Sequence, residues 1–174
     1  MKKPDTLENQ VNYAYLGIGS NLGKKITNIE KAKHLLISNQ IKIKSSSGFY
    51  SSKSWPNPKF PDFLNIVILV KTHLNKIDLF HNLKKIEKKL GRKISKRNYP
   101  RVCDIDIIDF NGKIYDVRNV IDLQIPHPRL EKRNFVLMPL FEINKKWIHP
   151  KTKKNIVNLI ANLPDGDIRT IKQK

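Results

Sequence analysis

An α+β sandwich, an antiparallel sheet with helices packed on it, is the fold class the sequence predicts. Three observations carry the prediction. Apolar, β-prone segments and two amphipathic helical segments follow one another in the order strand, helix, strand, strand, helix, strand. Two halves of this kind close into a ferredoxin-like sandwich, with helices over one face of the sheet. At 174 residues, 39% hydrophobic and 28% charged, the chain has the composition of a globular domain and can bury a core without staples. Its longest strictly apolar run, Ile66 to Val70, is far below the roughly 18 residues of a membrane span.

Tyr13 to Gly19 is short, β-prone and bounded by glycine, which predicts the first strand. From Lys24 to Ser38, Ile26, Ile29, Ala32, Leu36 and Ile37 recur at helical spacing, and Asn39 is a plausible stop. Ile41 to Tyr50 alternates at its start and predicts a second strand. Ser51 to Pro61 carries three prolines and predicts a loop. Phe63 to Thr72 is a buried β-branched strand. Lys76 to Leu90 is the strongest helix, with Leu79, Phe80, Leu83, Ile86 and Leu90 on one face and Gly91 as its stop. A basic loop, Arg92 to Arg101, leads into a strand at Cys103 to Phe110. Asn111-Gly112 is a turn dipeptide. Beyond lie Ile125-Pro126-His127-Pro128-Arg129, a short helical stretch toward Leu140 and a C-terminal helix near Lys154 to Leu163.

Residues 1–12 are polar and predict an N-terminal extension; residues 13–174 predict a single domain acting as a monomer. One cysteine, Cys103, excludes an internal disulfide and points to a reducing, cytoplasmic compartment. No apolar stretch follows the N-terminus, so no secretory signal is expected. Lys and Arg number 34 against 15 Asp and Glu, a net +19 that favours polyanionic partners. Lys, Ile and Asn are abundant all along the chain, so most of this excess is compositional. The alternative it raises is a small basic RNA-binding α+β module without catalysis. Such modules show solvent-facing aromatics on adjacent strands. Here Ile66 to Val70 is aliphatic and Phe49-Tyr50 sits at a strand end, so neither a specific nucleic acid nor a membrane is expected as partner.

Two nucleotide motifs fail. Gly17-Ile18-Gly19-Ser20-Asn21-Leu22-Gly23-Lys24-Lys25 lacks the P-loop spacing, has Lys25 where a hydroxyl is needed, and is one residue too long for a dinucleotide fingerprint. A tight strand-to-helix turn accounts for Gly17 and Gly23. The informative stretch is Arg97 to Ile108. In a strand, Asp104 and Asp106 project from one face. Two carboxylates about 4 Å apart repel by about 4 kcal/mol at an effective dielectric near 20. A hard divalent cation relieves that, and Mg²⁺ takes one or two carboxylates plus phosphate oxygens. Alone, D-x-D is weak evidence, and two aspartates facing water at a sheet edge is the better reading of it. Arg97 and Arg101 just upstream favour a polyphosphate clamp, because guanidinium binds phosphate bidentately. Arg92 and Arg133 extend it. His127, between two prolines, is either an ordinary loop histidine or a phosphate donor.

Together these residues resemble the 6-hydroxymethyl-7,8-dihydropterin pyrophosphokinase family. The resemblance is carried by Tyr15-Leu16-Gly17-Ile18-Gly19-Ser20-Asn21-Leu22, Phe49-Tyr50, Phe63-Leu64-Asn65, Ile86-Glu87 with Gly91-Arg92, Pro100 to Asp106, and Pro126 to Arg129 continuing through Arg133 to Leu140. It implies transfer of diphosphate from ATP to a pterin alcohol in folate biosynthesis, with AMP released. It implies that Asp104 and Asp106 hold two Mg²⁺ ions; the proton of the attacking hydroxyl would go either to Asp106 or to solvent. It implies that Glu87, Arg92, Arg101, His127 and Arg133 attend ATP, with Arg92 and Arg101 catalytic. Ser52, Phe63, Asn65 and Phe135 would attend the pterin, the two phenylalanines sandwiching its ring unless they serve only as core. The chain departs from the family at Asn98-Tyr99, where a small residue often follows Trp, and at Lys53-Ser54-Trp55, where many members have a proline pair. Trp55 is either a pterin wall or buried under its loop.

Overall fold

The computed structural model describes residues 10–92, 99–119 and 121–174. The 1–9 part of the expected extension and Arg97 and Asn98 of the basic loop lie outside them. Among the described residues eight strands and five α-helices follow in order: β1 (Asn12–Ser20), α1 (Lys25–Ser38), β2 (Lys42–Ser46), β3 (Tyr50–Ser52), β4 (Phe63–Thr72), α2 (Lys76–Lys89), β5 (Asp104–Phe110), β6 (Tyr115–Asp116), β7 (Gln124–Ile125), α3 (Asn134–Ile143), α4 (Ile156–Ala161), α5 (Asp165–Thr170) and β8 (Lys172–Gln173). The main sheet is antiparallel in the order β5-β1-β4-β3-β8, with β2 also paired to β4. β6 and β7 make a separate ribbon.

The β4 and α2 expectations hold closely. Asn75 caps α2 by accepting from the Ile77 and Asp78 amides, and Gly91, at φ +92°, ends it where a side chain would be strained. The strand expected over Ile41 to Tyr50 is two strands. They run along β4 with a break at Ser47, whose Oγ accepts the Val67 N–H at 3.0 Å in place of a ladder carbonyl. On α1, Ile29, Ala32 and Leu36 face the core while Ile26 and Ile37 are exposed, so the apolar stripe is narrower than the sequence suggested.

Helices cover both faces of the sheet, not one. Leu16, Ile18, Ile66, Ile68, Ile105 and Ile107 pack against α1 and α2. Val67 and Ile108 point the other way, into Val136, Leu137 and Leu140 of α3, Ile156 and Leu159 of α4, and Trp147. Each such aliphatic side chain, fully buried, contributes about 1.5–3 kcal/mol. A register shift sets Leu16 opposite Ile107 but Tyr15 opposite Asp109. The extra residue turns Ile108 and Asp109 to the α3 side together. There Asp109, buried by α3 and its neighbours, accepts from Trp147 Nε1 at 2.8 Å.

Candidate active site

Because side chains alternate along a strand, Asp104 and Asp106 share the Ile108 face of β5. The register places Asp104 opposite Gly19 and Asp106 opposite Gly17 on β1, and Gly19 in turn opposite Asn65 on β4. α3 covers Val67 and Ile108 but leaves this end of the sheet open. The result is a cleft of about 1010 Å³, large enough for two substrates side by side. Its floor is the bare backbone of β1. A Cβ on Gly19 would sit 2.9 Å from Asn65 Oδ1 and 3.3 Å from Phe63, and one on Gly17 would sit 3.3 Å from Ile108. Gly17 is therefore mid-strand floor and not part of a strand-to-helix turn; Gly23, at φ +63°, does lie in that turn.

The cleft brings together Arg92, Arg101, Asp104, Asp106, His127 and Arg133 at its charged end. Ser52, Phe63, Asn65 and Phe135 line it as well. Arg92 Nη1 donates to Asp104 Oδ1 at 2.6 Å and Arg101 Nη1 to Asp104 Oδ2 at 3.1 Å. Arg133 Nη1 donates to Asp106 Oδ2 at 3.3 Å, and its guanidinium lies 5.5 Å from the Phe135 ring centre. Burial would raise the Asp106 carboxyl, but Lys84 and Arg133 outweigh it and hold the group below the usual carboxylate range. Asp106 is thus ionised at neutral pH and a weak base. Burial, then the Arg133 charge, push His127 down to about 4. Its Nδ1 accepts from the Arg129 amide at 3.1 Å, so the neutral ring carries its proton on Nε2 as a donor.

Glu87 departs from the expectation that it attends the nucleotide. It does not line the cleft. Its side chain, 2% exposed, lies beneath Arg92, with which it is ion-paired. It also accepts from Lys84 Nζ at 2.8 Å and from the Ile105 amide at 2.7 Å. Burial lifts this carboxyl above its usual range and Lys84 only partly draws it back. Its place makes it a brace between α2, Arg92 and β5.

Asn65 Nδ2 donates to Ser52 Oγ at 2.9 Å, which leaves its amide oxygen toward Gly19 and the cleft. Trp55 is 60% exposed at the cleft and carries the Arg129 guanidinium 5.0 Å from its ring, so it is not buried under its loop. Tyr99 packs on Phe60, ring centres 5.5 Å apart. The carboxylate pair suits a hard cation: two adjacent acidic oxygen donors with open sides, cations already compensating them, and no third acidic, His or Cys ligand among the described residues. Such a set cannot cage a metal by itself but can hold Mg²⁺ whose remaining ligands are phosphate oxygens and water.

The sequence pattern of the 7,8-dihydro-6-hydroxymethylpterin-pyrophosphokinase family matches residues 15–145. The chain belongs to that family. It is 41% identical over 140 residues to the 2-amino-4-hydroxy-6-hydroxymethyldihydropteridine pyrophosphokinase of Aquifex aeolicus, covering 80% of this chain and 85% of that protein. It is 41% identical over 155 residues to the folic acid synthesis protein FOL1 of Dictyostelium discoideum, covering 89% of this chain but 23% of that protein. The chain thus spans about a quarter of that longer relative. A crystal structure of Plasmodium falciparum HPPK-DHPS with pterin and p-hydroxybenzoate superposes with a TM-score of 0.72 at 17% identity, over 95% of this chain and 48% of that one. That likeness bears on the fold alone, and it agrees with the ferredoxin-like sandwich.

Three features of the cleft were given no role in the sequence reading. Lys84 lines the cleft one turn before Glu87, and no motif singled it out among many lysines. Asn21 accepts from the Arg101 amide at 2.7 Å while its Nδ2 reaches Ser54 Oγ and the Pro61 carbonyl, both at 3.2 Å, so it ties the 53–62 loop to Arg101. Gly19 could have been found only by knowing which strand lies beside it. Among the described residues helices pack on both faces of the sheet, and the part of it left open is the cleft end. No helix among the described residues is long and apolar enough to cross a membrane.

Proposed function

We propose that this chain transfers diphosphate from ATP to the hydroxymethyl group of 6-hydroxymethyl-7,8-dihydropterin, releasing AMP, as a step of folate biosynthesis. What supports this most is the placement of Asp104 and Asp106 at the charged end of a cleft whose other lining residues, Phe63, Asn65 and Phe135, suit a flat heteroaromatic ring. The pterin hydroxyl oxygen attacks the β-phosphorus, the bond from that phosphorus to the α-phosphate bridging oxygen breaks, and AMP leaves. Such transfer asks for positioning and charge neutralisation and not for covalent catalysis.

In this reading Asp104 and Asp106 hold two Mg²⁺ ions, which would supply charge neutralisation at the phosphates and a lowered pKa for the attacking hydroxyl. Arg92, Arg101 and Arg133 pass from the carboxylates to phosphate oxygens, and His127 donates through Nε2. Asp106, held ionised, serves as a cation ligand and not as the base, so the hydroxyl proton goes to solvent. Asn65 presents its amide oxygen to the pterin. In the same reading the protein acts as a monomer, and its use of ATP with a single, free cysteine, Cys103, fits the cytoplasm. The test is AMP release with and without the pterin, in matched Mg²⁺ and EDTA samples. AMP should form only with pterin and Mg²⁺ together; AMP formed without pterin, or none under any condition, overturns the assignment.

A further inference from the structure

β5 is the last strand of the main sheet and, among the described residues, pairs with β1 alone. The outer side of such a strand carries N–H and C=O groups with no ladder partner, and burying them unpaired is costly. At Ile105, the residue between Asp104 and Asp106, two side chains of α2 stand in for the missing strand. Glu87 Oε1 accepts the Ile105 N–H at 2.7 Å, and Lys84 Nζ donates to the Ile105 carbonyl at 3.3 Å. Lys84 and Glu87 lie three residues apart on one helix face and are themselves paired at 2.8 Å, so the contacts close a ring around one residue of β5. The Ile105 side chain is buried in the same core cluster as Leu83 and Ile86 of α2. On its other side β5 is set by β1, which puts Gly19 opposite Asp104 and Gly17 opposite Asp106.

This ring differs in kind from the arginine pairs. Arg92, Arg101 and Arg133 hold Asp104 and Asp106 by their side chains, and in the function proposed above they exchange those carboxylates for phosphate. They cannot fix the two aspartates while the nucleotide is bound. The ring grips the main chain between the aspartates, through atoms that neither phosphate nor cation replaces. Lys84 is also a charge at the cleft, its side chain 35% exposed, so a mechanical role must be told apart from a purely electrostatic one. The choice of cation does so. Mg²⁺ demands near-ideal octahedral geometry, whereas Ca²⁺ accepts irregular coordination. Both carry the same charge, so a change of charge in the protein acts on them alike, while a slack carboxylate pair penalises Mg²⁺ more.

We propose that Lys84 and Glu87 are positioning residues that, by gripping both peptide groups of Ile105, hold the Asp104 and Asp106 carboxylates in the fixed relation a small, geometrically strict cation needs. This rests on the diphosphate-transfer reading above and its cation assignment. The experiment uses the full chain with Lys84→Met, Glu87→Gln and, as a charge-matched control at an exposed position of α2, Lys85→Gln. Calorimetry gives the affinity for a non-hydrolysable ATP analogue with Mg²⁺ and again with Ca²⁺, and AMP release is followed on the same preparations. Lys84→Met removes the donor to the Ile105 carbonyl at a partly exposed site, so it tests the ring even if Glu87→Gln fails to fold. Loss of a group that orients a metal ligand costs about 10–100-fold in metal affinity. Lys84→Met should therefore weaken binding with Mg²⁺ about tenfold or more and binding with Ca²⁺ by less than about threefold. Glu87→Gln, which keeps an oxygen for the Ile105 amide but loses its charge pairing with Lys84, should shift the ratio in the same direction by less. Lys85→Gln should match wild type. Equal losses with both cations, or unchanged binding with Mg²⁺ in Lys84→Met, overturn the proposal while leaving diphosphate transfer intact. Absence of pterin-dependent AMP release in the wild type removes the underlying reading instead, and the positioning role with it.

Discussion

Replacing Asp104 separates chemistry from stability. Its carboxylate pairs with Arg92 and Arg101, and all three side chains are partly open to solvent, at 25%, 28% and 16% exposure. Pairs of that exposure are worth about 0.2–1 kcal/mol each, so removing both costs at most about 2 kcal/mol. Arg92 keeps Glu87 and Arg101 keeps the Tyr99 carbonyl through Nε at 3.1 Å. Relief of repulsion with Asp106 offsets part of the rest, leaving about 1 kcal/mol, or a fall in Tm of about 2–4 °C for a chain this long. On the proposed reading the same substitution removes one of the two carboxylates that would hold the cations. Loss of a preorganised electrostatic group of that kind costs about 10²–10³ in rate, roughly 3–4 kcal/mol. Asp104→Asn should therefore lower kcat/KM for AMP release about a thousandfold while Tm barely moves, measured by nucleotide chromatography and a melting curve on one preparation. Activity within tenfold of wild type at saturating Mg²⁺ would refute the metal assignment. A Tm drop beyond about 10 °C would refute the energetic argument, since the carboxylate would then be a structural keystone.

Gly19→Ala places a methyl against Asn65 Oδ1 and Phe63, so pterin affinity should fall at least tenfold while ATP affinity changes little, as read by equilibrium binding of each. In metal-free buffer the lowered His127 pKa makes the unfolded chain bind the extra proton between about 4 and 6.5. Stability should be complete above 6.5 and decline as pH falls toward 4, and His127→Gln should flatten that decline in urea melts. Cys103 is fully buried, and burial raises its thiol to about 12, so a thiol reagent at pH 8 should label it only after denaturation.

The fold was largely legible because its signals are local. β4 is a continuous apolar run and α2 a clean amphipathic stripe with a cap and a glycine stop, and both fall where expected within a residue. What was missed depends on neighbours. The split of β2 from β3 hangs on one serine hydroxyl taking a ladder amide. β8 exists because β3 offers a free edge, and its own Lys172-Gln173 carries no strand signal. The site shows the same division. Asp104 and Asp106 were picked out by their spacing only in combination with the arginines just upstream. The Glu87 brace required knowing that α2 packs beside β5, so that an acid on that helix would end up under the cleft and not in it.

The arrangement of charge also fixes how nucleotide and cation must arrive. Without ligand, three guanidiniums face two carboxylates at the cleft, and Glu87 is held beneath by Lys84 and Arg92. ATP entering alone would draw the arginines to its phosphates and strand Asp104 and Asp106 against like charge, a penalty of several kcal/mol for partly buried groups. ATP entering with Mg²⁺ exchanges partners instead: each carboxylate gives up a guanidinium for the cation, and each guanidinium gives up a carboxylate for phosphate. ATP affinity should therefore fall about a hundredfold in EDTA, and Asp104→Asn should bind metal-free ATP more tightly than wild type does, because there is one fewer charge to strand. Calorimetric titration of both proteins with ATP in EDTA decides it. If the substitution weakens metal-free binding, the two aspartates are not what makes the cation necessary.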